Sequence, residues 1–249
     1  MAEATAPQEV DSTGFHPALR PQGRLERFRG SSEVPLSSRG LDEGMRTGVD
    51  LARKGGLHEL RSSSMGRALQ TAQLISRFTH APITHVGDEL HPWHLGALEG
   101  HEVTPERVDF INHLVRQEPE RAAAGRGPLS TRDGESFNSF KQRALTFMQS
   151  ALRESAANPD RRIGLVTHFR VKKLMDAWMR KGAQDDLTID DDLMTSNSGD
   201  HGTGGVTRIV NDPYAGPQAF NVDLDSPSQL GGGIYMIRHG ATAFNNEQS

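Results

Sequence analysis

Apolar residues return at helical spacing in several stretches and bunch into short runs between them, the pattern of an α/β chain. Thr47, Val49, Leu51 and Ala52 fall within a helix predicted from about Leu41 to Lys54, and Leu57–Arg61 follows as a short strand. Met65, Ala68, Leu69, Ala72 and Ile75 again line one helical face, with serines just ahead of them as natural N-caps. Ile83–Val86 reads as a second strand, and a loop rich in His, Pro, Trp and Gly runs on to Gly100. Two more helices are predicted around Thr104–Glu118 and Glu135–Ala156. Arg162–Thr167 is an apolar run of the buried-strand type, and a helix over Val171–Met179 follows it. Gly205–Val210 makes a further strand, and Ile234–Ile237 a last one.

Strands alternating with helices predict a three-layer α/β/α sandwich around a largely parallel sheet. Residues 1–24, with Pro7, Gly14, Pro17, Pro21 and Gly23 and little periodicity, read as an irregular arm. Residues 25–249 read as a single domain. Within it 211–233, with three prolines and a Gly-Gly-Gly end, is expected to be a linker, and 234–249 to bring a final strand and a motif. Ligands of such sheets bind beyond the carboxyl ends of strands. His168 and His239 both fall there.

Composition narrows the chemistry. With 35% hydrophobic and 24% charged residues, most of the chain is globular, and 26 Gly and 13 Pro imply generous loops. A net charge of −4 advertises neither a nucleic-acid nor a membrane partner. No cysteine is present, which excludes disulfides, thiolate metal sites and cysteine nucleophiles. The first twenty residues hold no apolar core behind a basic start, so a cytoplasmic protein is expected.

The strongest chemical signal is Arg238-His239-Gly240-Ala241-Thr242-Ala243-Phe244-Asn245. A cation beside an imidazole at a strand end, a glycine that lets the backbone approach, and a further donor at Asn245 suit a phosphoryl group. The plain alternative is a surface Arg-His pair near a chain end. Ser62–Ala72 puts Arg67 in the first turn of a helix, where an anion meets both the helix N-terminus and a guanidinium fork. By itself that segment is more often an ordinary capped helix with a solvated arginine. His168 closes a buried strand, and a lone histidine there is usually structural.

Taken together, these segments resemble the histidine phosphatase superfamily in its phosphoglycerate-mutase-like branch. Arg238–Asn245 matches its Arg-His-Gly-x-Thr-x-x-Asn signature, Ser62–Ala72 its Ser-Ser-x-x-x-Arg-Ala-x-Gln-Thr-Ala stretch, and His168 its second histidine. Arg27-Phe28-Arg29-Gly30, Val34-Pro35-Leu36-Ser37 and Gly40 resemble the loop after the first motif, and Gly134-Glu135-Ser136 its Gly-Glu-Ser before a long helix. The order differs. Relatives begin with the Arg-His-Gly strand, whereas here it comes last, so the chain resembles a member circularly permuted in the loop after its first strand. An extended linker over 211–233 would reach about 70 Å, ample for one domain.

The resemblance implies a phosphomonoesterase in which His239 is the nucleophile and is transiently phosphorylated. Arg238, Arg67 and His168 would hold the phosphoryl oxygens, with Asn245, Arg29 and Gly30 binding substrate and no metal or other cofactor required. Its substrate would be a phosphorylated small molecule or a phosphoprotein. The expected proton donor is missing: Pro92 stands where the mutase branch has a glutamate. His94 is the nearest titratable replacement, with His91, Glu99 and His101 behind it; the alternative is that these histidines simply decorate a loop. Phe169-Arg170 replaces two glycines after the second histidine, which should narrow the pocket and allow Arg170 a second anion contact. The short interval between Gly100 and Gly134 favours phosphatase over mutase. A phosphate-binding module that has lost its acid is the alternative.

Overall fold

A computed structural model describes residues 27–125, 130–182, 202–212 and 214–242, with the side chains of 118–120 and 122 excepted. The expected arm at 1–24 and Asn245 lie outside the described residues. In chain order the elements are α1 (Ser38–Arg53), β1 (Glu59–Ser63), α2 (Gly66–Thr79), β2 (Ile83–Gly87), α3 (Pro105–Ala123), α4 (Phe137–Ala157), β3 (Arg162–Thr167), α5 (Phe169–Arg180), β4 (Val206–Asp212), β5 (Gly216–Asn221) and β6 (Gly233–Arg238). Short 3-10 turns at Asp88–Leu90 and Gly96–Leu98 punctuate the loop after β2. Among the described residues no helix is long and apolar enough to cross a membrane.

The six described strands form one sheet in the order β2-β1-β3-β6-β4-β5. β2, β1, β3 and β6 are parallel, and β4 runs antiparallel to both of its neighbours. The last described strand, β6, is therefore a central one. Its apolar residues alternate between faces as a period-2 strand must. Ile234 and Met236 join a core with Phe140, Leu145, Leu174 and Trp178 of α4 and α5, while Tyr235 and Ile237 join one with Leu51 of α1 and Ala68, Ala72 and Ile75 of α2. The three layers follow from that alternation.

Two sequence expectations are corrected. The segment expected to be only a linker contains β5, which pairs along its whole length with β4. Its Pro217 misleads a reading of the sequence, but a proline is tolerated on an edge strand, where its missing N–H has no partner to disappoint. The serines ahead of α2 do not cap it: the N-cap is Met65, without a side-chain bond. Glu33 takes that duty, accepting from Gly66 N at 3.2 Å, while Ser63 Oγ accepts from Met65 N just ahead of the helix and Ser64 Oγ turns to Asp88 and His91.

Lys172 of α5 is 2% exposed, its Nζ donating to Gly205 O (3.1 Å) and Met236 O (3.3 Å). Burial, reinforced by Arg238 and opposed by Asp176, lowers its pKa to about 7. The unfolded chain therefore binds a proton between about pH 7 and 10.5 that the folded chain does not, so folding stability should rise across that window. Lys172→Met should flatten this slope, worth on the order of a few kcal/mol, in urea titrations at pH 7 and pH 10. A slope unchanged by the substitution would contradict the assignment.

Candidate active site

Four parallel strands bring their carboxyl ends side by side, and the candidate residues sit on that rim. Thr167 of β3 is in register with Arg238 of β6, so His168 and His239 follow as neighbours, and His239 N still donates to Thr167 O (3.1 Å). Their ring centroids are 5.0 Å apart. Ser62 of β1 is in register with Val166, which places Ser63 beside them.

The His239 ring is buried, and its Nδ1 lies 2.6 Å from Gly240 O. A carbonyl can only accept, so Nδ1 carries the proton and Nε2 keeps its lone pair. Burial first, then the charges of Arg67, Arg238 and Arg29, hold the pKa well below the histidine norm, against the opposing bond to Gly240. The fixed tautomer and the lowered pKa both favour a neutral imidazole whose Nε2 lone pair faces away from Gly240 O.

The segment after His239 is locked from the start of α1. Ala241 O accepts from Ser37 N (3.0 Å), Ala241 N donates to Glu43 (2.8 Å), and Leu36 forms an isolated bridge with Thr242. A Cβ on Gly240 would stand 2.2 Å from Gly40 O, and one on Gly40 only 1.9 Å from Ala241 O. Only glycines permit this approach.

His168 is 2% exposed, and its Nε2 meets Ser63 Oγ at 2.8 Å. Met65 N donates to the same oxygen, whose hydroxyl proton can still point to Nε2 and leave the ring proton on Nδ1. That Nδ1 is buried without a protein partner, as is Arg67 Nε. Burial, then His239, Arg67, His91 and Arg143, keep His168 well below the usual histidine pKa. Two unpartnered buried nitrogens beside His239 suit the oxygens of a tetrahedral anion.

Arg67, also 2% exposed, spends its two terminal nitrogens on Ser32 O (2.8 Å) and Gly30 O (3.0 Å). Burial and the neighbouring charge of Arg29 lower its pKa to about 10, still charged at neutral pH. Gly30 has φ +46° and lies against Glu99, whose carboxylate accepts from Ser31 N, Ser31 Oγ, Ser32 Oγ and Leu95 N, each at 2.9 Å. Glu99 thereby holds the loop that holds Arg67. Arg238 lies over the Phe169 ring (5.0 Å) and Arg170 over Trp93 (5.9 Å), so Phe169 and Arg170, the two residues expected to narrow the pocket, are each engaged in a cation–ring stack.

The histidine-rich loop after β2 is rigidly held. Arg143 of α4 donates to the carbonyls of Asp88, Glu89, His91 and Pro92 and pairs with Glu135. Trp93 is 1% exposed and bonds Glu135 O. Within this loop His94 is half exposed, its Nε2 3.7 Å from Glu99. His101 is exposed. His91 sits further in, its Nε2 2.6 Å from Ser64 Oγ. Ser63 falls at a fixed position of the matched Ser62–Ala72 stretch, but Ser64, Asp88 and Arg143 carry no signal of their own in the sequence. The run of three serines was the available signal, masked by its resemblance to a helix cap.

The model of the histidine phosphatase superfamily (branch 1) matches residues 20–192. A probable phosphoglycerate mutase, GpmB, of Salmonella arizonae is 30% identical over 129 residues, 51% of this chain and 55% of that protein. The chain thus matches about half the length of that curated relative. Among solved structures, YhfR of Bacillus stearothermophilus is 26% identical with a TM-score of 0.57, covering 80% of this chain and 91% of that one. A mycobacterial glucosyl-3-phosphoglycerate phosphatase holding inorganic phosphate gives a TM-score of 0.56 at 19% identity, covering 84% and 96%. The α-ribazole phosphatase of Shigella flexneri gives 0.54 at 19%, covering 82% and 91%.

Proposed function

Because this chain belongs to branch 1 of the histidine phosphatase superfamily, we propose that it is a phosphomonoester hydrolase working through a phosphohistidine on His239. The observation that carries this reading is the buried His239 ring, fixed by Gly240 O with its Nε2 lone pair free, beside the unpartnered His168 Nδ1 and Arg67 Nε. Nε2 attacks phosphorus, the N–P bond forms as the P–O bond to the alcohol breaks, and the alcohol leaves with a proton. Water then attacks the phosphoimidazole and returns Nε2 to its free state. His168, Arg67, Arg238 and Arg29 hold the equatorial oxygens, and fixed donors of this kind supply a large share of catalysis. Asn245 is proposed to assist. The substrate is a phosphorylated small molecule, as the names of the related phosphatases and mutase suggest, or a phosphoprotein.

The chain order is read as a circular permutation within one domain over 25–249. Supporting it are β6 inserted between β3 and β4, the direct pairing of residues 36–43 with 240–242, and a family match that ends at residue 192, before the Arg-His-Gly motif.

Pro92 favours a second reading, a phosphate-binding module without turnover. Rapid quench of the protein with p-nitrophenyl phosphate separates the two. The hydrolase releases a burst of nitrophenol with phosphate on the His239 peptide. Phosphate binding without release, or label on another residue, would overturn the proposal.

A further inference from the structure

A leaving alcohol departs opposite the attacking nitrogen, so its proton donor must lie across the phosphoryl group from His239. Along the sheet rim the order is His239 on β6, His168 on β3, Ser63 and Ser64 at the end of β1, then the loop leaving β2. Neighbouring strands stand about 4.8 Å apart, so a donor hung on the end of β1 faces His239 across His168. His91 is hung there.

Its hydrogen bonds also define its chemistry. Ser64 Oγ lies 2.6 Å from Asp88 Oδ1 and 2.6 Å from His91 Nε2. A carboxylate can only accept, so the single hydroxyl proton of Ser64 goes to Asp88, and Ser64 must accept from His91 Nε2–H. The proton that comes and goes is therefore on Nδ1. Other candidates are engaged elsewhere: Glu99 is bound by four donors of the Gly30–Ser32 loop and Leu95, His94 lies out beside Glu99, and the exposed Glu33 holds Gly66 N.

We infer that His91 is the general acid of this site, with Ser64 and Asp88 as positioning residues that fix its ring and its tautomer. This rests on the hydrolase reading above. Imidazolium Nδ1–H gives its proton to the leaving oxygen as the P–O bond breaks, and becomes neutral. In the second step Nδ1 takes a proton from the attacking water as the N–P bond breaks, restoring the imidazolium. Nothing else is consumed. The groups that bear on His91 are Asp88 and Glu33, which favour its charged form, and Arg143, Arg67 and the neighbouring His168, which oppose it. Burial leads, and holds the free-enzyme pKa below the usual 6.5. Burial also holds His239 well below its usual pKa, so a neutral nucleophile and a protonated acid are favoured together on the acidic side of neutrality.

The test is hydrolysis of an alkyl phosphate, glycerol 1-phosphate, against p-nitrophenyl phosphate, from pH 4.5 to 8.5. The wild type should lose alkyl-phosphate kcat as pH rises through the His91 pKa. His91→Gln should cut that kcat by about 10²–10⁴-fold and abolish the basic limb, while p-nitrophenyl phosphate, whose leaving group needs little protonation, falls less than tenfold. Asp88→Asn and Ser64→Ala should move the limb and not remove it, which a merely structural role would not do. Equal losses on both esters, a limb that survives His91→Gln, or one removed by Glu33→Gln instead, would overturn the inference while leaving the phosphohistidine reading intact. A wild type that turns over neither ester would sink both.

Discussion

His239→Ala is expected to lower p-nitrophenyl phosphate turnover by on the order of 10⁵-fold or more, since removing a covalent nucleophile abolishes the route rather than weakening one contact. That is about 7 kcal/mol of transition-state stabilisation. The fold should survive, because backbone pairing holds the position: His239 N donates to Thr167 O, and Gly240 N to Thr71 Oγ1 (3.2 Å). Alanine also relieves a burial penalty, as the His239 and His168 imidazoles are both held below their usual pKa. Both groups bind protons more weakly folded than unfolded, so the wild type should lose stability as pH falls through about 6.5, and the variant should lose less. Activity within tenfold of wild type, with a normal melting profile, would remove His239 from the mechanism.

Ending the chain before Gly233 is expected to abolish cooperative folding, the largest structural effect foreseen here. β6 pairs with β3 over six residue pairs, Arg162–Gly233 to Thr167–Arg238, and with β4 on its other side. Ile234, Tyr235, Met236 and Ile237 are each at most 1% exposed. Burying such side chains stabilises by about 1.5–3 kcal/mol apiece, and four of them together rival the about 5–15 kcal/mol stability of a typical domain. Circular dichroism and urea titration of the truncated chain should show no cooperative transition. A synthetic peptide carrying the missing residues should restore one if the strand docks as described. An unchanged melt without it would mean that β6 is not integral to the sheet.

The elements themselves were readable because burial imposes period. α4 was expected at Glu135–Ala156 and runs Phe137–Ala157; β3 was expected and found at Arg162–Thr167. β5 was not readable, since an exposed edge strand needs no apolar alternation, and Gly216-Pro217-Gln218 looks like a turn. The serine run failed for another reason. A hydroxyl before a helix can cap it or turn away, and the choice at Ser63 and Ser64 depends on His168 and His91, each reached only through tertiary folding.

The sequence by itself determined the layered α/β plan, because hydrophobic period is a local property, and its resemblance to the family nominated His239, Arg238, Arg67 and His168 as the phosphoryl-binding set proposed above. It could not rank the histidines of one short loop. His91, His94 and His101 are chemically equal along the chain, and what separates them is set by partners distant in sequence. Ser64 turns the His91 ring inward toward the strand ends, Glu99 keeps His94 at the surface, and Arg143 freezes the backbone between them. Proton transfer is decided over a few ångströms. Only the packing of β1, β2 and α4 around that loop fixes such distances.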